Sequence, residues 1–281
     1  MIGDVVELLA CPHCRGELEL RDGVVTCAEG HAYDVARHGY VNLLPGGGGS
    51  GTADTAAMVA ARSEALATTG PLAPLVRHVA DHAAAVTPPV DGCVLDLGAG
   101  TGAHLARVLD ALPNRRGLAL DLSKHAARRA ARAHVRLGAV VCDAWARLPV
   151  RDGVAALALS VFAPRNAAEL ARVLAPQGEL LVVTPTHRHL SRLVAALGLV
   201  RVDARKDERL AHALAGHFVR IDDHTHGYDV PMDDDDIAAV VTMGPSAHHL
   251  GREALARRIA ALDGPQTVSV DVRLSRYRSR A

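Results

Sequence analysis

The pattern of apolar and polar residues is most regular beyond residue 92. There, short apolar runs alternate with stretches of helical periodicity, which predicts the parallel sheet of a doubly wound α/β fold. Val94, Leu95 and Leu97 indicate a first strand that is buried on both faces. Further strands are predicted near 117–121, 139–142, 154–161 and 179–184, and two runs that alternate by twos, at 217–221 and 267–273, predict the last ones.

The residues before this pattern predict two additional parts. An alanine-rich stretch from Thr55 to Val86 indicates two helices, divided near Gly70 and Pro71. Ahead of it, residues 45–51 read Pro-Gly-Gly-Gly-Gly-Ser-Gly, which is typical either of a flexible linker or of a plain surface loop. We predict a module at 1–44, a glycine-rich linker at 45–51 and a main domain at 52–281.

The first strand of the main domain ends in a glycine-rich turn that predicts a cofactor site. Gly98, Gly100 and Gly102 alternate just before a helical pattern that begins at His104. Glycines allow a sharp turn and keep Cβ atoms away from a ligand, and the free amides of the next helix face that ligand. Gly98, Gly100 and Ala103 also satisfy the loose dinucleotide-binding pattern G-x-G-x-x-G/A. The glycines alone therefore do not determine which cofactor is bound.

Three aspartates at successive strand ends strengthen the cofactor interpretation. Asp96 lies at the end of the first strand, Asp121 ends the next apolar run and Asp143 ends the third. A single aspartate at such a position is often only a helix cap. Three in register favour a bound cofactor, and Asp121 is placed where either kind of cofactor would present its ribose hydroxyls.

Composition limits the classes of partner. The 31 basic and 31 acidic residues cancel, so affinity for RNA must come from local patches. Aromatic residues make up only 2% of the chain, which argues against a surface of many stacking rings. The chain shows neither a secretion signal nor an apolar run as long as a membrane span, so we expect a cytoplasmic protein with no membrane contact.

The cysteines predict one structural Zn²⁺ ion. Their number is five, which argues against a disulfide framework. Cys11, Cys14, Cys27 and His31 form the spacing C-x2-C-x12-C-x3-H, which suits two knuckles around a tetrahedral ion with no open position for water. His13 is the substitute ligand if His31 is not one. The other two cysteines lie in apolar strands and are read as packing residues.

The segment after the zinc ligands carries a family resemblance. Residues 30–44, Gly-His-Ala-Tyr-Asp-Val-Ala-Arg-His-Gly-Tyr-Val-Asn-Leu-Leu, closely resemble the corresponding segment of the bacterial 23S rRNA guanine-N1-methyltransferases, and Asp-x-Gly-x-Gly-x-Gly from Asp96 resembles motif I of class I S-adenosylmethionine-dependent methyltransferases. The sequence Asp121-Leu-Ser-Lys124 resembles most the tylosin-resistance branch of that rRNA methyltransferase family. Other matching residues are Asp54, Met58-Val59, Ala61-Arg62, Pro74-Leu75, Ala163 to Asn166, Val183 to Pro185, His189-Leu190 and Met243 to Ser246.

This resemblance implies a fold, a cofactor and a reaction. The fold is the Rossmann-like sheet of class I methyltransferases, and the reaction is methyl transfer from S-adenosylmethionine to N1 of a guanine in a 23S rRNA hairpin. Resistance to tylosin-type macrolides and a role in rRNA processing are implied as well. The cofactor-binding residues we predict are Asp96, Gly98, Gly100, Thr101, Gly102, His104, Leu105, Asp121, Asp143, Ala144 and Ser160.

The residues after the fourth strand, 160–166, should meet the target base. Phe162 is positioned to stack on it, although core packing at a strand end is an equal alternative. Arg165 or Asn166 could donate to guanine O6, where charge develops as the N1 proton leaves. Asp34, by resemblance, and Asp143, by position, are candidates for the general base.

Two local patches are candidates for RNA contact. Residues 124–136 carry four arginines and a lysine without an acid, largely along one side of a predicted helix, and the segment from Arg252 onward holds seven arginines. Residues 1–50 contain three arginines and seven acids, which is unfavourable for an RNA-binding module, and 233–236 are four acids expected in a solvated loop. A small-molecule methyltransferase of antibiotic biosynthesis and a catalytically silent RNA-binding protein remain alternatives. A homodimer is left open.

Overall fold

The computed structural model describes residues 1–46, 53–199, 206–244 and 251–280. Within them, a large eight-stranded sheet is accompanied by a small three-stranded one. The small sheet contains β1 (Glu19–Arg21), β2 (Val24–Thr26) and β3 (Ala32–Asp34). The large sheet contains β4 (Tyr40–Asn42), β5 (Cys93–Leu97), β6 (Gly117–Asp121), β7 (Leu137–Val141), β8 (Ala155–Val161), β9 (Leu174–Pro185), β10 (Phe218–Met232) and β11 (Gln266–Ser279).

Helices pack on the two faces of the large sheet. They are α1 (Ala56–Ala65), α2 (Ala73–Val86), α3 (Ala103–Ala111), α4 (Lys124–Ala130), α5 (Ala167–Val173), α6 (Ser191–Leu197), α7 (Lys206–Ala215), α8 (Asp234–Thr242) and α9 (Arg252–Ala260). The two helices predicted between Thr55 and Val86 are confirmed as α1 and α2. Over the described residues, no helix has the length and apolar character that a membrane crossing requires.

The strand order of the large sheet is β10-β11-β9-β8-β5-β6-β7-β4. Strands β4 to β9 pair in parallel, whereas β11 runs antiparallel to both β9 and β10. The predicted doubly wound sheet is therefore confirmed, and β11 is its antiparallel strand. The last two strands are much longer than predicted. One face of the edge strand β10 is exposed and its sequence is largely polar, so its apolar pattern does not show the full length of the strand.

The N-terminal residues are built into the large sheet, which the sequence pattern did not indicate. Strand β4 lies beside β7, with Tyr40 opposite Ala139. Ile2, Val5 and Leu8 share one apolar cluster with residues of β6 and β7. Most of the predicted linker, together with Pro245 and Ser246 of one family motif, lies outside the described residues, and the division at 45–51 stays a prediction.

Two charged segments differ from their predictions. The basic stretch is helical only to Ala130, and Arg136 turns back to donate to the carbonyl oxygens of Leu112 (2.8 Å), Arg115 and Leu109. The acidic run at 233–236 is a helix start rather than a loop. Its first member caps α8 and accepts from the amide of the fourth at 2.9 Å, because acids are favoured at helix N-termini.

Candidate cofactor and zinc sites

The glycine turn after β5 is held in a backbone conformation that suits glycine. Gly98, Gly100 and Gly102 have φ angles of 75°, 56° and 76°. A Cβ atom on Gly98 would lie 2.5 Å from the Cβ of Ala163, so the fold itself requires a glycine there. Helix α3 then begins at Ala103, one residue before the predicted start at His104.

Asp121 ties the glycine turn to the start of α4. Its two carboxylate oxygens accept hydrogen bonds from the amides of Gly100 and Ser123, both at 2.8 Å. Burial raises the pKa of Asp121 above its ordinary value. Because each oxygen has a second lone pair, the carboxylate can still accept ribose hydroxyls. At the end of the next strand, Asp143 accepts from the amide of Trp145 at 2.9 Å, with Ala144 half-buried between them.

Buried polar atoms at this edge of the sheet fit a polar ligand. Asp96 Oδ1, Thr101 Oγ1, His104 Nδ1, Ser160 Oγ and Thr184 Oγ1 are buried and make no hydrogen bond to any residue that the structure describes. Buried polar atoms are normally paired. S-adenosylmethionine offers an ammonium group, a carboxylate and two ribose hydroxyls, so its chemistry matches these groups. Four of the five residues belong to the predicted set.

The charge states of two buried groups follow from their surroundings. Burial, and then repulsion from Asp121, raises the pKa of Asp96 to about 7. Burial, and then the positive charge of Arg62, lowers the pKa of His104 to about 4, so its imidazole is neutral at physiological pH. Leu105, which follows it in α3, is fully buried in the apolar core. Of these two groups, Asp96 is the one that titrates near neutral pH.

We predict that Asp96 makes the stability of the ligand-free protein depend on pH. Its carboxyl has an ordinary pKa of 3.8 and a folded pKa of about 7, so the folded state binds more protons between these values and stability falls as pH rises through that window. An Asp96→Asn variant should show a flatter profile of unfolding free energy against pH. Denaturant unfolding measured at several pH values checks this, and parallel profiles for the two proteins would contradict it.

A half-buried arginine beside the glycine turn was not identified as a site residue from the sequence. Arg62 of α1 pairs with Asp54 and donates to the carbonyl oxygen of Met243 at 2.8 Å. A Cβ atom on Gly100 would lie 3.2 Å from the Arg62 side chain. Arg62 and Asp54 were noted only within the family resemblance, because nothing in their spacing shows that α1 covers the turn.

Phe162 lies at the rim of this crevice. Its φ is 54°, its side chain is 38% exposed, and its amide donates to the carbonyl oxygen of Val183 at 3.0 Å. Its ring centroid lies 5.6 Å from that of His189, whose Nδ1 accepts from the amide of Asp271 at 3.2 Å. The ring is thus available at the surface, and its stacking on the target base stays a prediction. His189 was noted only within the resemblance.

Asn166 and Arg165 differ in how far their polar groups are engaged. Asn166 caps α5 by accepting from the amide of Glu169 at 3.4 Å, and its amide group donates to the carbonyl oxygens of Trp145 (3.3 Å) and Ala146 (3.2 Å). Arg165 is partly buried, its Nε has no hydrogen-bond partner among the described residues, and burial lowers its pKa. Arg165 is therefore the better placed of the two predicted donors, and both roles stay predictions.

Asp34 is an exposed residue of β3. The neighbouring Val35 forms an antiparallel bridge to Val41 of β4, which places Asp34 beside the carboxyl end of β4. That end lies at the same edge of the sheet as the glycine turn, because β4 runs parallel to β7. Its role as a base stays a prediction.

The four predicted zinc ligands meet at one point. The ligand atoms of Cys11, Cys14, Cys27 and His31 all lie within 4.8 Å of one another. Cys27 Sγ is 3.3 Å and Cys11 Sγ is 3.6 Å from His31 Nδ1, and Cys14 Sγ is 3.5 Å from Cys27 Sγ. Ligands around a tetrahedral zinc ion are separated by about 3.5 to 3.8 Å, so the set fits Zn²⁺. His13 stacks on His31 at 5.0 Å between ring centroids.

Comparison with known proteins matches both parts of the chain. Residues 9–47 match a zinc-ribbon family described as "RlmA, N-terminal", and residues 94–178 match the family described as "Methyltransferase domain". The chain is 49% identical to the 23S rRNA (guanine(748)-N(1))-methyltransferase of Streptomyces fradiae, over 96% of each chain. A Micromonospora griseorubida protein named for guanine-N1 methylation of 23S rRNA is 48% identical, over 98% of each chain. YxjB of Bacillus subtilis (strain 168), named for the same activity, is 33% identical over 66% of this chain and 67% of its own.

The alignments to the S. fradiae and M. griseorubida relatives cover the zinc ribbon, the glycine turn and the strands beyond it. The geometry agrees with them, since a tetrahedral cysteine and histidine cluster and a crevice fit for S-adenosylmethionine occur in one chain. The chain therefore belongs to the family of 23S rRNA (guanine-N1)-methyltransferases.

Proposed function

We propose that this protein transfers a methyl group from S-adenosylmethionine to N1 of a guanine in a 23S rRNA hairpin, at the position that the S. fradiae relative modifies. The observation that carries the proposal is the 49% identity to that relative, which covers the zinc ribbon and the methyltransferase domain together. The proposed substrate implies a cytoplasmic location, where ribosomes are. Resistance to tylosin-type macrolides is part of the proposal, and a homodimer stays a prediction.

The chemistry asks for activation of a weak nucleophile. Guanine N1 carries a proton above neutral pH, and its lone pair attacks only as that proton leaves and negative charge spreads onto O6. A fixed cationic donor near O6 stabilises this charge. Arg165 is our candidate for that donor, because it lies in the loop after β8 and its Nε is not hydrogen-bonded to a described residue.

The remaining requirement is alignment. When bound, S-adenosylmethionine supplies an electrophilic methyl group, and its in-line displacement depends on positioning more than on covalent catalysis. Phe162 and His189 lie next to each other at the rim, where two rings can hold a flipped base against the crevice. Asp121, Asp96 and the glycine turn would hold the cofactor beneath it.

We expect Phe162→Ala to lower kcat for RNA methylation by tenfold or more and to leave affinity for S-adenosylmethionine unchanged, because in the proposed arrangement the ring stacks on the base and does not bind the cofactor. Labelled methyl transfer to a transcript of the hairpin, with reverse-transcription stops to locate N1-methylguanine, measures this. Val219→Ala, a change at a 44% exposed residue on β10, is the matched control. A variant with full activity would remove Phe162 from the site.

The same assay separates the rival functions. Methylation of the transcript, lost when the target guanine is changed to adenine, supports the proposal. Transfer to a macrolide precursor but not to RNA would favour the small-molecule enzyme, and RNA binding without any transfer would favour the silent binder. Expression in a sensitive host without this methylation should raise its tolerance of tylosin. Unchanged tolerance would contradict the resistance role.

A further inference from the structure

Two distant segments of the chain meet beside the edge of the large sheet. One is the turn before β4, in which the amide of Gly39 donates to the carbonyl oxygen of Ala36 at 2.7 Å. The other is the C-terminal end of α4. A Cβ atom on Gly39 would lie 3.8 Å from the Cβ of Ala131, so the turn packs directly on the end of the helix. The pairing of β4 with β7 fixes this arrangement.

The side chains at this junction are cationic. Arg132 Nη2 lies 2.7 Å from Nδ1 of His38. Because a guanidinium only donates, Nδ1 must accept, and the imidazole is neutral in this contact. Burial lowers the pKa of His38, and the positive charges of Arg128, Arg132 and Arg37 lower it further. One guanidinium therefore contacts an uncharged ring, and the charges of two more disfavour its protonation.

These arginines are not neutralised by the residues that the structure describes. Arg37, Arg128 and Arg132 are exposed, and none of them forms an ion pair with a carboxylate in residues 1–46, 53–199, 206–244 and 251–280. Of the seven acids at 1–50, four are paired with cations elsewhere. The acidic N-terminal composition therefore leaves this junction positive.

The C-terminal arginines, the other predicted RNA patch, are largely engaged. Arg276 and Arg278 pair with Glu179, Arg273 pairs with Asp223, and Arg258 and Arg280 donate to backbone carbonyl oxygens. Only Arg252 and Arg257 of that segment are exposed without a described partner of this kind. The junction is thus the better of the two candidate surfaces.

We propose that Arg37, His38, Arg128 and Arg132 form one docking surface, the junction patch, for backbone phosphates of the RNA substrate. This inference rests on the proposed function. Guanidinium forks match phosphate oxygens in geometry, and several unpaired forks in one place suit a polyanion. The patch is composite, since the N-terminal module supplies two of its residues and the main domain the other two.

The position of the patch indicates which phosphates it contacts. Helix α4 starts at Lys124, three residues after Asp121 and at the edge of the cofactor crevice, and Arg128 to Arg132 lie at its far end. At 1.5 Å per residue, this end is roughly 10 Å from the crevice. The phosphates held there therefore flank the target nucleotide, and the patch contributes affinity and orientation rather than reading of bases.

The test is the salt dependence of RNA binding. Charge reversal at Arg128 and Arg132 (R128E/R132E) should weaken binding of the hairpin transcript about tenfold or more and reduce the slope of log K against log salt by about two, because fewer counterions are released. R37E should reduce the slope by about one. Affinity for S-adenosylmethionine should remain that of the wild type, while KM for the RNA transcript should be raised.

The double reversal R252E/R257E is the matched control, because it places the same charges on the exposed face of α9. An unchanged slope for R128E/R132E, or a larger drop for the α9 control, would overturn the junction patch while wild-type methylation leaves the proposed function standing. An unchanged slope for R37E alone would overturn its composite character. A wild type that binds but does not methylate RNA would overturn the proposed function and leave the patch testable by the same slopes, and no RNA binding at all would overturn both.

Discussion

Replacing Gly100 by valine should abolish measurable binding of S-adenosylmethionine, a loss of at least a hundredfold in affinity. Gly100 has a φ of 56°, a conformation that a β-branched residue adopts only at a cost of roughly 1 to 3 kcal/mol. Its new side chain would also push against Arg62, because even a Cβ atom lies 3.2 Å from that guanidinium. Both effects displace the Gly100 amide, which donates a hydrogen bond to Asp121. The backbone turn that would hold the cofactor is then lost.

The control for this prediction must carry the same backbone strain without touching the crevice. Gly153, in the turn before β8, has a φ of 67°, and the nearest atom to its Cβ position is 4.0 Å away. Gly153→Val should therefore lose stability comparably but bind the cofactor with wild-type affinity. Calorimetric titration of both variants, after circular dichroism confirms that they fold, decides the matter. Tight binding by Gly100→Val would remove the turn from the cofactor site.

Cys27→Ser should cost the protein its zinc and, with it, the folded N-terminal module. Structural zinc contributes on the order of 10 to 16 kcal/mol of apparent binding free energy in small modules, comparable to the whole stability of a domain. We expect the zinc content, measured by elemental analysis, to fall from one ion per chain to nearly none. Hydrogen exchange should quicken at Leu43, whose amide donates to Val141 at 2.9 Å in the sheet.

His13→Ala provides the matched comparison for the zinc site. His13 stacks on the ligand His31 but does not belong to the cluster of ligand atoms. This variant should keep its zinc, with at most a modest loss of affinity. If it released the metal as fully as Cys27→Ser, His13 rather than His31 would be the fourth ligand. A Cys27→Ser protein with full zinc and normal exchange would refute the site.

The parts of the fold that follow from local pattern could be predicted from the sequence. Apolar runs identified the central strands, and the glycine turn after Asp96 identified the cofactor edge, because both depend on residues close together in the chain. The cover of that turn by Arg62 and the docking of β4 depend on contacts across long stretches of chain. Short strands such as β4 also carry too few residues for a periodicity to show.

Charge patterns were harder to interpret than apolar ones. The run at 124–136 is cationic by composition, yet the guanidinium of Arg136 donates its hydrogen bonds to carbonyl oxygens near the end of α3. The four acids at 233–236 stabilise a helix start. Tertiary packing decides whether a charged residue faces solvent, a partner or its own backbone. Composition alone therefore overestimated the free cations at 124–136 and did not indicate Arg37 as a member of the junction patch.

The place of β4 at the sheet edge sets an order for events during synthesis. Its partner strand β7 leaves the ribosome about a hundred residues later, so the ribbon can take up zinc and fold while β4 waits unpaired. Until β4 docks on it, the newly made β7 is an apolar strand with an open edge, which favours pairing with other chains. We therefore expect the N-terminal module, through β4, to protect this edge of the large sheet, so that chains in which the module does not fold become insoluble.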